Sequence, residues 1–495
     1  MTGLDPITLE VMLGSLRAAC DEMGAVLVRS AHSANIKERR DASTALFDAE
    51  GQMVMQAEHI PVHLGAMPSA VAAVLDEEQR PGESWILNDP YRGGTHLPDI
   101  TVITPLFHEG EPAGFAASRA HHADVGAEEP GSMPAFSRTL EEEGVVIPPT
   151  RLTGEVLHDL AGRMRNPRQR EADLRAQLAA GRAGGERVAA LIDRFGLDTF
   201  RAGLEETLDY AERRTRARIA DLPDGTRHAT DFLEGAEEDL ELKVEASVTG
   251  DRIELDFSGS AGQHDGNLNC PLAVTLSACY FALRVLTDPD VPPCAGAYRP
   301  LTVTAPEGSI LNARSPAAVA AGNVETSSRI ADLVLAAFGR ALGQGTMNNL
   351  TLGDRDFTYY ETLGGGQGAC PDADGPSAVH VAMSNTLNTP LEALELEFPL
   401  RAVEYSLRHG SGGAGAHRGG DGVVRELEAL EEMRFSLITE RRRHAPPGAE
   451  GGEPGAAGRN LLNGEELPPK ASGTLSPGDR LRIETPGGGG YGKRA

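Results

Sequence analysis

Histidine and aspartate are concentrated in one stretch, residues 88–126, which reads NDPYRGGTHLPDITVITPLFHEGEPAGFAASRAHHADVG. His96-Leu-Pro-Asp99 precedes one apolar, alternating run, and His121-His-Ala-Asp124 follows the next. Between the two runs lies a polar turn, His108-Glu-Gly-Glu111, centred on Gly110. Folding the segment as an antiparallel hairpin about Gly110 pairs residues whose numbers sum to 220, so Asp99 faces His121 and His96 faces Asp124. Directly opposed residues have Cβ atoms about 5 Å apart, close enough for two side chains to grip one ion. Two imidazoles and one carboxylate with open positions suit a catalytic Mn, Fe or Zn ion, which can polarise a carbonyl or generate hydroxide. The alternative is a hydrogen-bonded turn, since an HxxD pattern taken alone carries little information.

Other candidate motifs carry less chemistry. In Glu58-His-Ile-Pro-Val-His63 the proline forbids a helical pair of histidines, and the order differs from HExxH. That segment reads as a structural turn or as a loop lining the same pocket. The glycine runs at 364–368 and 411–415 lack the GxxxxGK[ST] form and a neighbouring lysine, which points to backbone packing. There is no GxSxG nucleophile elbow. An ATP site is not visible.

The elements that must position these residues are mixed. Residues 5–31 carry apolar side chains three or four apart, from Leu9 to Leu27, behind an Asp5-Pro6 helix start. Short runs at 45–48, 84–87 and 100–104 read as strands. Residues 153–220 read as several helices, with breaks expected at Pro167 and at Gly184-Gly185. Leu240 to Phe257 alternates around a Thr249-Gly250-Asp251 hairpin turn. Residues 271–287 and 326–343 are helical candidates, the latter capped by Thr326, Ser327 or Ser328. The C-terminal third is glycine-rich with short strands. The expected class is α+β, mixed and multi-domain, with β-rich regions and interspersed helices. A boundary near 222 separates an N-terminal α+β domain, 1–222, carrying the candidate metal site from a glycine-rich α+β domain, 223–495.

Composition excludes some functions. The net charge of −27 repels phosphate backbones and anionic membranes, so neither nucleic acid nor a membrane is an expected partner. The five cysteines include no CxxC pair, which argues against a thiolate zinc site or a disulfide framework. The N-terminus has no signal-peptide pattern, and Pro271 to Leu286 is too short to span a bilayer. A cytoplasmic location is expected.

The sequence resembles the hydantoinase B/oxoprolinase family over nearly its whole length. The matching segments include Ser33-Ala-Asn-Ile-Lys-Glu-Arg-Arg-Asp41, Glu58-His-Ile-Pro-Val-His-Leu-Gly65 and Thr95-His-Leu-Pro-Asp99. They continue through His121-His-Ala-Asp-Val-Gly126, Gly322-Asn-Val-Glu-Thr-Ser327 and Pro486-Gly-Gly-Gly-Gly-Tyr-Gly492. The resemblance implies the B-type subunit of an ATP-dependent hydrolase of cyclic amides of hydantoin, 5-oxoproline or lactam type. An A-type ATPase partner, of the actin/hexokinase-like class, would phosphorylate the substrate oxygen in a hetero-oligomer. ATP would belong to that partner. The resemblance places the divalent transition metal on His96, Asp99 and His121. Asp124 or His122 would orient ligands or act as general base, and Glu38, Asp41, His59 and His63 are substrate-pocket candidates. A carboxylase subunit of the acetone carboxylase type and a non-catalytic scaffold for the ATPase are the rival readings. Two departures stand out. Ser43-Thr44 replaces the family's frequent Ser-Cys, which removes any thiol role, and Cys294-Ala-Gly296 replaces a loop that tends to carry Asn.

Overall fold

The computed structural model describes residues 4–58, 60–235 and 238–494. It is an α+β protein, with four sheets among the described residues.

Helix α1 (Pro6–Ser30) starts as expected, with the Asp5 carboxylate accepting from the Ile7 and Thr8 amides. Its apolar stripe buries Met12, Leu16, Cys20, Met23 and Leu27, the spacing that turns one helical face to a core. A short helix, α2 (Ala34–Lys37), then leads into β1 (Ala42–Phe47) and β2 (Met53–Glu58). Helix α3 (Ala66–Ala72) is followed by β3 (Trp85–Leu87), β4 (Asp99–His108), β5 (Glu111–His121) and β6 (Thr150–Arg151). These six strands form one antiparallel sheet in the order β2-β1-β5-β4-β3-β6. The β4–β5 hairpin lies at its centre.

The expected hairpin register holds where it matters, with Asp99 opposite His121 and Ile100 opposite Ala120. The turn itself differs. Phe107 pairs with Pro112 and His108 with Glu111, so the tight turn is the two-residue Glu109-Gly110, both with positive φ (49° and 88°). A bulge at Ala113 adds the one residue that restores the register further down the ladder. A turn without the bulge would have slipped Asp99 by one position and turned His121 to the opposite face.

Helices α4 (Gly154–Gly162), α5 (Pro167–Phe195) and α6 (Leu197–Ile219) fill the expected helical region. The break at Pro167 occurs, but Gly184-Gly185 lies inside α5 and does not interrupt it. These glycines are contact points instead. A Cβ on Gly184 would lie 2.6 Å from Met23 Sδ and 3.2 Å from Ala116 Cβ. A Cβ on Gly185 would meet Leu106 at 3.2 Å. The missing side chains let α5 press onto α1 and the hairpin at once. The break comes at Gly196, whose φ is 81°.

Beyond residue 222, a second sheet orders its strands Leu301–Thr304, Arg252–Asp256, Asp239–Thr249 and Gly225–Glu234. The hairpin at Gly250 is present. Two antiparallel sheets follow, one holding Asn349–Gly353 and Thr358–Glu361, the other built around Gly422–Ala429 and Arg480–Glu484. The helix expected from 326 begins earlier. A π-turn, Gly322–Thr326, runs straight into Ser327–Ala337, so Ser327 and Ser328 are interior and bond back to the Asn323 and Val324 carbonyls. The largest apolar core runs from Met12 to Ile438 and draws residues from both sides of position 222. The glycine runs interlock by backbone. A Cβ on Gly420 would sit 1.9 Å from the Pro376 carbonyl oxygen, and one on Gly488 would sit 2.0 Å from that of Gln367.

Candidate metal centre

The site is built where β4 begins and β5 ends. Between β3 and β4 the chain makes a tight loop, with Gly93 at φ 101°, and the Asp99 amide bonds to the His96 carbonyl. That turn brings His96 up beside Asp99 from the loop, not from the ladder. The ladder places His121 opposite Asp99. His96 Nε2 lies 3.2 Å from His121 Nδ1 and 3.3 Å from Asp99 Oδ1, and His121 Nδ1 lies 3.3 Å from the same oxygen. The three atoms form a near-equilateral triangle. Ligands about 2.0–2.2 Å from a divalent ion, at tetrahedral or octahedral angles, lie about 2.8–3.6 Å from one another. The donor set therefore fits a first-row divalent ion. Among the described residues this is the one cluster of three such side chains with that spacing.

All three side chains are buried, at 0%, 1% and 2% exposure for His96, Asp99 and His121. Burial alone would raise the Asp99 pKa. The nearby His96 and His63 charges and hydrogen bonds from His121 and His63 outweigh it, holding the carboxyl well below the usual range. Burial pushes the His121 imidazole down against its bond to Asp99. A carboxylate beside an imidazole biased to neutral is the protonation state a ligand set requires.

The second carboxylate oxygen is held separately. Asp99 Oδ2 accepts from Thr95 Oγ1 at 2.6 Å and lies 3.3 Å from His63 Nε2, while His63 Nδ1 is 2.9 Å from Ser43 Oγ. Ser43, His63 and Thr95 are fully buried, so the carboxylate is fixed in rotation by a Ser–His–Asp–Thr chain. His63 thus meets the centre through Asp99. Asp41 meets it through its backbone, whose carbonyl accepts from the His121 amide at 3.0 Å. Glu38 is half-buried at the end of α2, and His59 lies outside the described residues.

The pairing of His96 with Asp124 does not form, because the ladder ends at Asp99 and His121. The Asp124 carboxylate instead accepts from the Gly126 and Gly131 amides and pairs with Arg165 at 2.7 Å, bracing its own loop. His122 points to the opposite face, with Nε2 3.0 Å from Gln177 Oε1 on α5. Gln177 in turn donates to the Ile100 and Ser118 carbonyls, tying helix to hairpin. Neither side chain contacts the three clustered residues by a hydrogen bond.

One neighbour was invisible to local spacing. The Tyr360 ring stacks on His121 at 4.5 Å and 15°, its hydroxyl donates to Asn349 Oδ1, and Arg39 lies over it at 4.8 Å. Arg39 also donates to the Tyr360 carbonyl at 2.7 Å. Arg39 and Tyr360 stand 321 residues apart in the chain, a pairing no short-range pattern reveals.

The fold and this buried cluster define an α+β protein with a two-histidine, one-carboxylate candidate metal centre at the end of its central hairpin. The chain belongs to the hydantoinase B/oxoprolinase family, whose model matches residues 5–494. It is 39% identical to the 5-oxoprolinase of Dictyostelium discoideum over its whole length, but spans only 41% of that protein. It is 31% identical to a putative D-/L-hydantoinase subunit of a Pseudomonas strain, over 99% of this chain and 90% of that protein. The crystal structure of the ATP-dependent caprolactamase of Pseudomonas jessenii superposes with a TM-score of 0.92, at 30% identity, over 99% of this chain and 91% of that one.

Proposed function

We propose that this chain is the ring-opening unit of an ATP-dependent hydrolase of cyclic amides, with a divalent Mn, Fe or Zn ion held by His96, Asp99 and His121. The observation that carries this reading is the triangle of donor atoms, 3.2–3.3 Å on each side, buried at the mouth of the hairpin. The relatives' names supply the substrate class, and the word ATP-dependent in the caprolactamase name supplies the energy source. The hydantoinase relative is named as one subunit, and the 5-oxoprolinase extends far beyond the part matched here. Both facts support a second, ATP-using unit as partner.

The chemistry explains the need for ATP. An unstrained amide is a poor electrophile because nitrogen donates into the carbonyl. Phosphorylating the oxygen makes the carbon electrophilic, so that water adds and the ring C–N bond breaks, the nitrogen taking a proton. The acyl phosphate left is hydrolysed by a second water to carboxylate and phosphate. A bound divalent ion would supply Lewis acidity and an activated water. The chain's own residues do the rest. Asp99 stays ionised, burial biases the His121 imidazole towards its neutral form, and Thr95 and His63 fix the carboxylate's orientation. The near-total burial of the three keeps bulk water from a reactive intermediate.

The test has two arms. Elemental analysis of the purified chain is expected to find about one transition metal per chain in the wild type and its loss in Asp99→Ala. With the ATP-using partner added, His121→Ala is expected to retain substrate-stimulated ATP cleavage while ring opening falls by about 100-fold or more, the scale of losing a main catalytic group. Equal metal content in both proteins, or product formation within a few-fold of wild type, overturns the assignment.

A further inference from the structure

A histidine that ligates a metal usually donates its remote ring nitrogen to a hydrogen bond, and that bond fixes the plane of the ring. The candidate centre is built differently. His121 turns Nδ1 towards Asp99 and His96, while its Nε2 is buried with no hydrogen-bond partner among the described residues. His96 Nδ1 is in the same situation, and the His96 ring packs against His121 at 5.0 Å and 58°. The plane of His121 is thus the reference for both imidazoles, and it is set by packing.

The packing partner is Tyr360, whose ring lies 4.5 Å from that of His121 at 15°. A stack fixes a plane only as firmly as the second ring is itself held. Two segments far apart in the chain hold this one. Arg39, fully buried, donates to the Tyr360 carbonyl at 2.7 Å and to Thr362 Oγ1 at 2.8 Å, with its guanidinium 4.8 Å from the ring centre. The other support comes from the π-turn Gly322–Thr326. Tyr360 stands opposite Thr351, so Asn349, two residues along the neighbouring strand, shares its face. The Tyr360 hydroxyl donates to Asn349 Oδ1 at 2.5 Å, and Asn349 Nδ2 donates to Glu325 Oε1 at 3.3 Å. That oxygen also accepts from the Met347 amide at 3.2 Å. A Cβ on Gly322 would sit 1.8 Å from the Asn269 carbonyl oxygen, so the turn carrying Glu325 is seated directly on backbone. Such single π-turns are frequent at functional sites.

We propose that Tyr360 is a positioning residue for the metal centre, its stacked ring setting the plane of His121, and that Glu325 acts on the same centre through Asn349. This rests on the reading of His96, Asp99 and His121 as metal ligands and is independent of the reaction performed there.

The probe is Co2+ alone, whose visible absorption reports ligand geometry, titrated into the purified metal-free chain against a chelator of known affinity. Tyr360→Leu is expected to weaken Co2+ about tenfold or more, the scale for groups that orient ligands, and to change the spectrum. Tyr359→Leu makes the same change on the opposite face of the strand, where Tyr359 packs on Phe398 at 5.1 Å. It is expected to leave Co2+ affinity within a few-fold of wild type. Glu325→Leu is expected to weaken Co2+ several-fold, and Glu325→Gln, which keeps an accepting oxygen, to restore it. Burial and the charge of Glu440 lift the Glu325 carboxyl to about 8, so the amide matches the acid at neutral pH. Equal losses in the two tyrosine variants, or none in Tyr360→Leu, overturn the role of Tyr360. Failure of Glu325→Gln to restore binding overturns that of Glu325. A second readout needs neither metal nor a core substitution. In the metal-free wild type, the His121 ring-proton signals, identified by their loss in His121→Asn, are expected upfield of the ordinary histidine range because Tyr360 shields them. Ordinary shifts there overturn the stack itself. A wild type that shows the upfield shifts and binds no Co2+ sinks the metal reading alone and leaves Tyr360 as the group that holds His121.

Discussion

At the scale of single residues, the centre depends on how one carboxylate is shared. Asp99 offers Oδ1 to His96 and His121 and leaves Oδ2 to Thr95 and His63. Side chains that orient a ligand are worth about 10–100-fold in metal affinity. Thr95→Val keeps the shape and removes the 2.6 Å bond to Oδ2. It is expected to weaken metal binding about tenfold, as read by competition against a chelator of known affinity, with the fold unchanged by circular dichroism. Unchanged affinity would show that His63 alone suffices to hold the carboxylate. Thr95 was findable from sequence, four positions before Asp99. The positions of His122 and Asp124 were not. Adjacent residues on a strand point to opposite faces, so choosing His121 over His122 required the register, and Asp124 lies beyond the ladder altogether.

At the scale of elements, glycines decide how closely helix and sheet approach. Gly184→Leu would drive a side chain into Met23 and Ala116 and is expected to cost about 1–3 kcal/mol by overpacking. Gly154, at the exposed first turn of α4, has nothing within 4 Å of an added Cβ. Gly154→Ala is therefore expected to be neutral or to stabilise by up to about 1 kcal/mol. Denaturant melts of the two variants check the pair, and an equal effect from both would refute the packing role of Gly184. A second link is Glu143, which accepts from the Val319 and Ala320 amides and from Ser137. Burial raises its carboxyl from 4.5 to about 7. The unfolded chain ionises near 4.5 while the folded one holds its proton, so this group makes stability fall as pH rises from about 4.5 to 7. Glu143→Gln is expected to flatten that slope, removing a pH-dependent difference on the order of 3 kcal/mol at most. Parallel Tm-against-pH curves for wild type and variant would contradict it.

At the scale of the whole molecule, distant segments are locked by charges in the core. Glu440 meets Arg329 at 3.3 Å, pairs with Lys470 and accepts from the Glu234 amide at 3.1 Å. Arg441 binds Asp231 at 2.7 Å and Asp332 at 3.0 Å. These contacts join the strand Gly225–Glu234, the helix Ser327–Ala337 and the C-terminal sheets. Removing one member strands the others, so Glu440→Ala is expected to cost about 3–5 kcal/mol, measured by equilibrium unfolding. A loss under about 1 kcal/mol would mean the network relaxes or takes up water.

Local pattern alone determined the helix behind Asp5 and the hairpin that opposes Asp99 to His121, because strand period and turn chemistry act over a few residues. His96 joined them through the family resemblance and not through its expected pairing with Asp124. The register was reached through a turn placed half a residue off, which the bulge at Ala113 made good. Only the tertiary structure decided that Gly184-Gly185 packs instead of breaking a helix, that Ser327 and Ser328 lie inside one, and that Tyr360 and Arg39 close over His121. Those outcomes depend on which surfaces press together across hundreds of residues. That information resides in the packed core and in no window of the sequence.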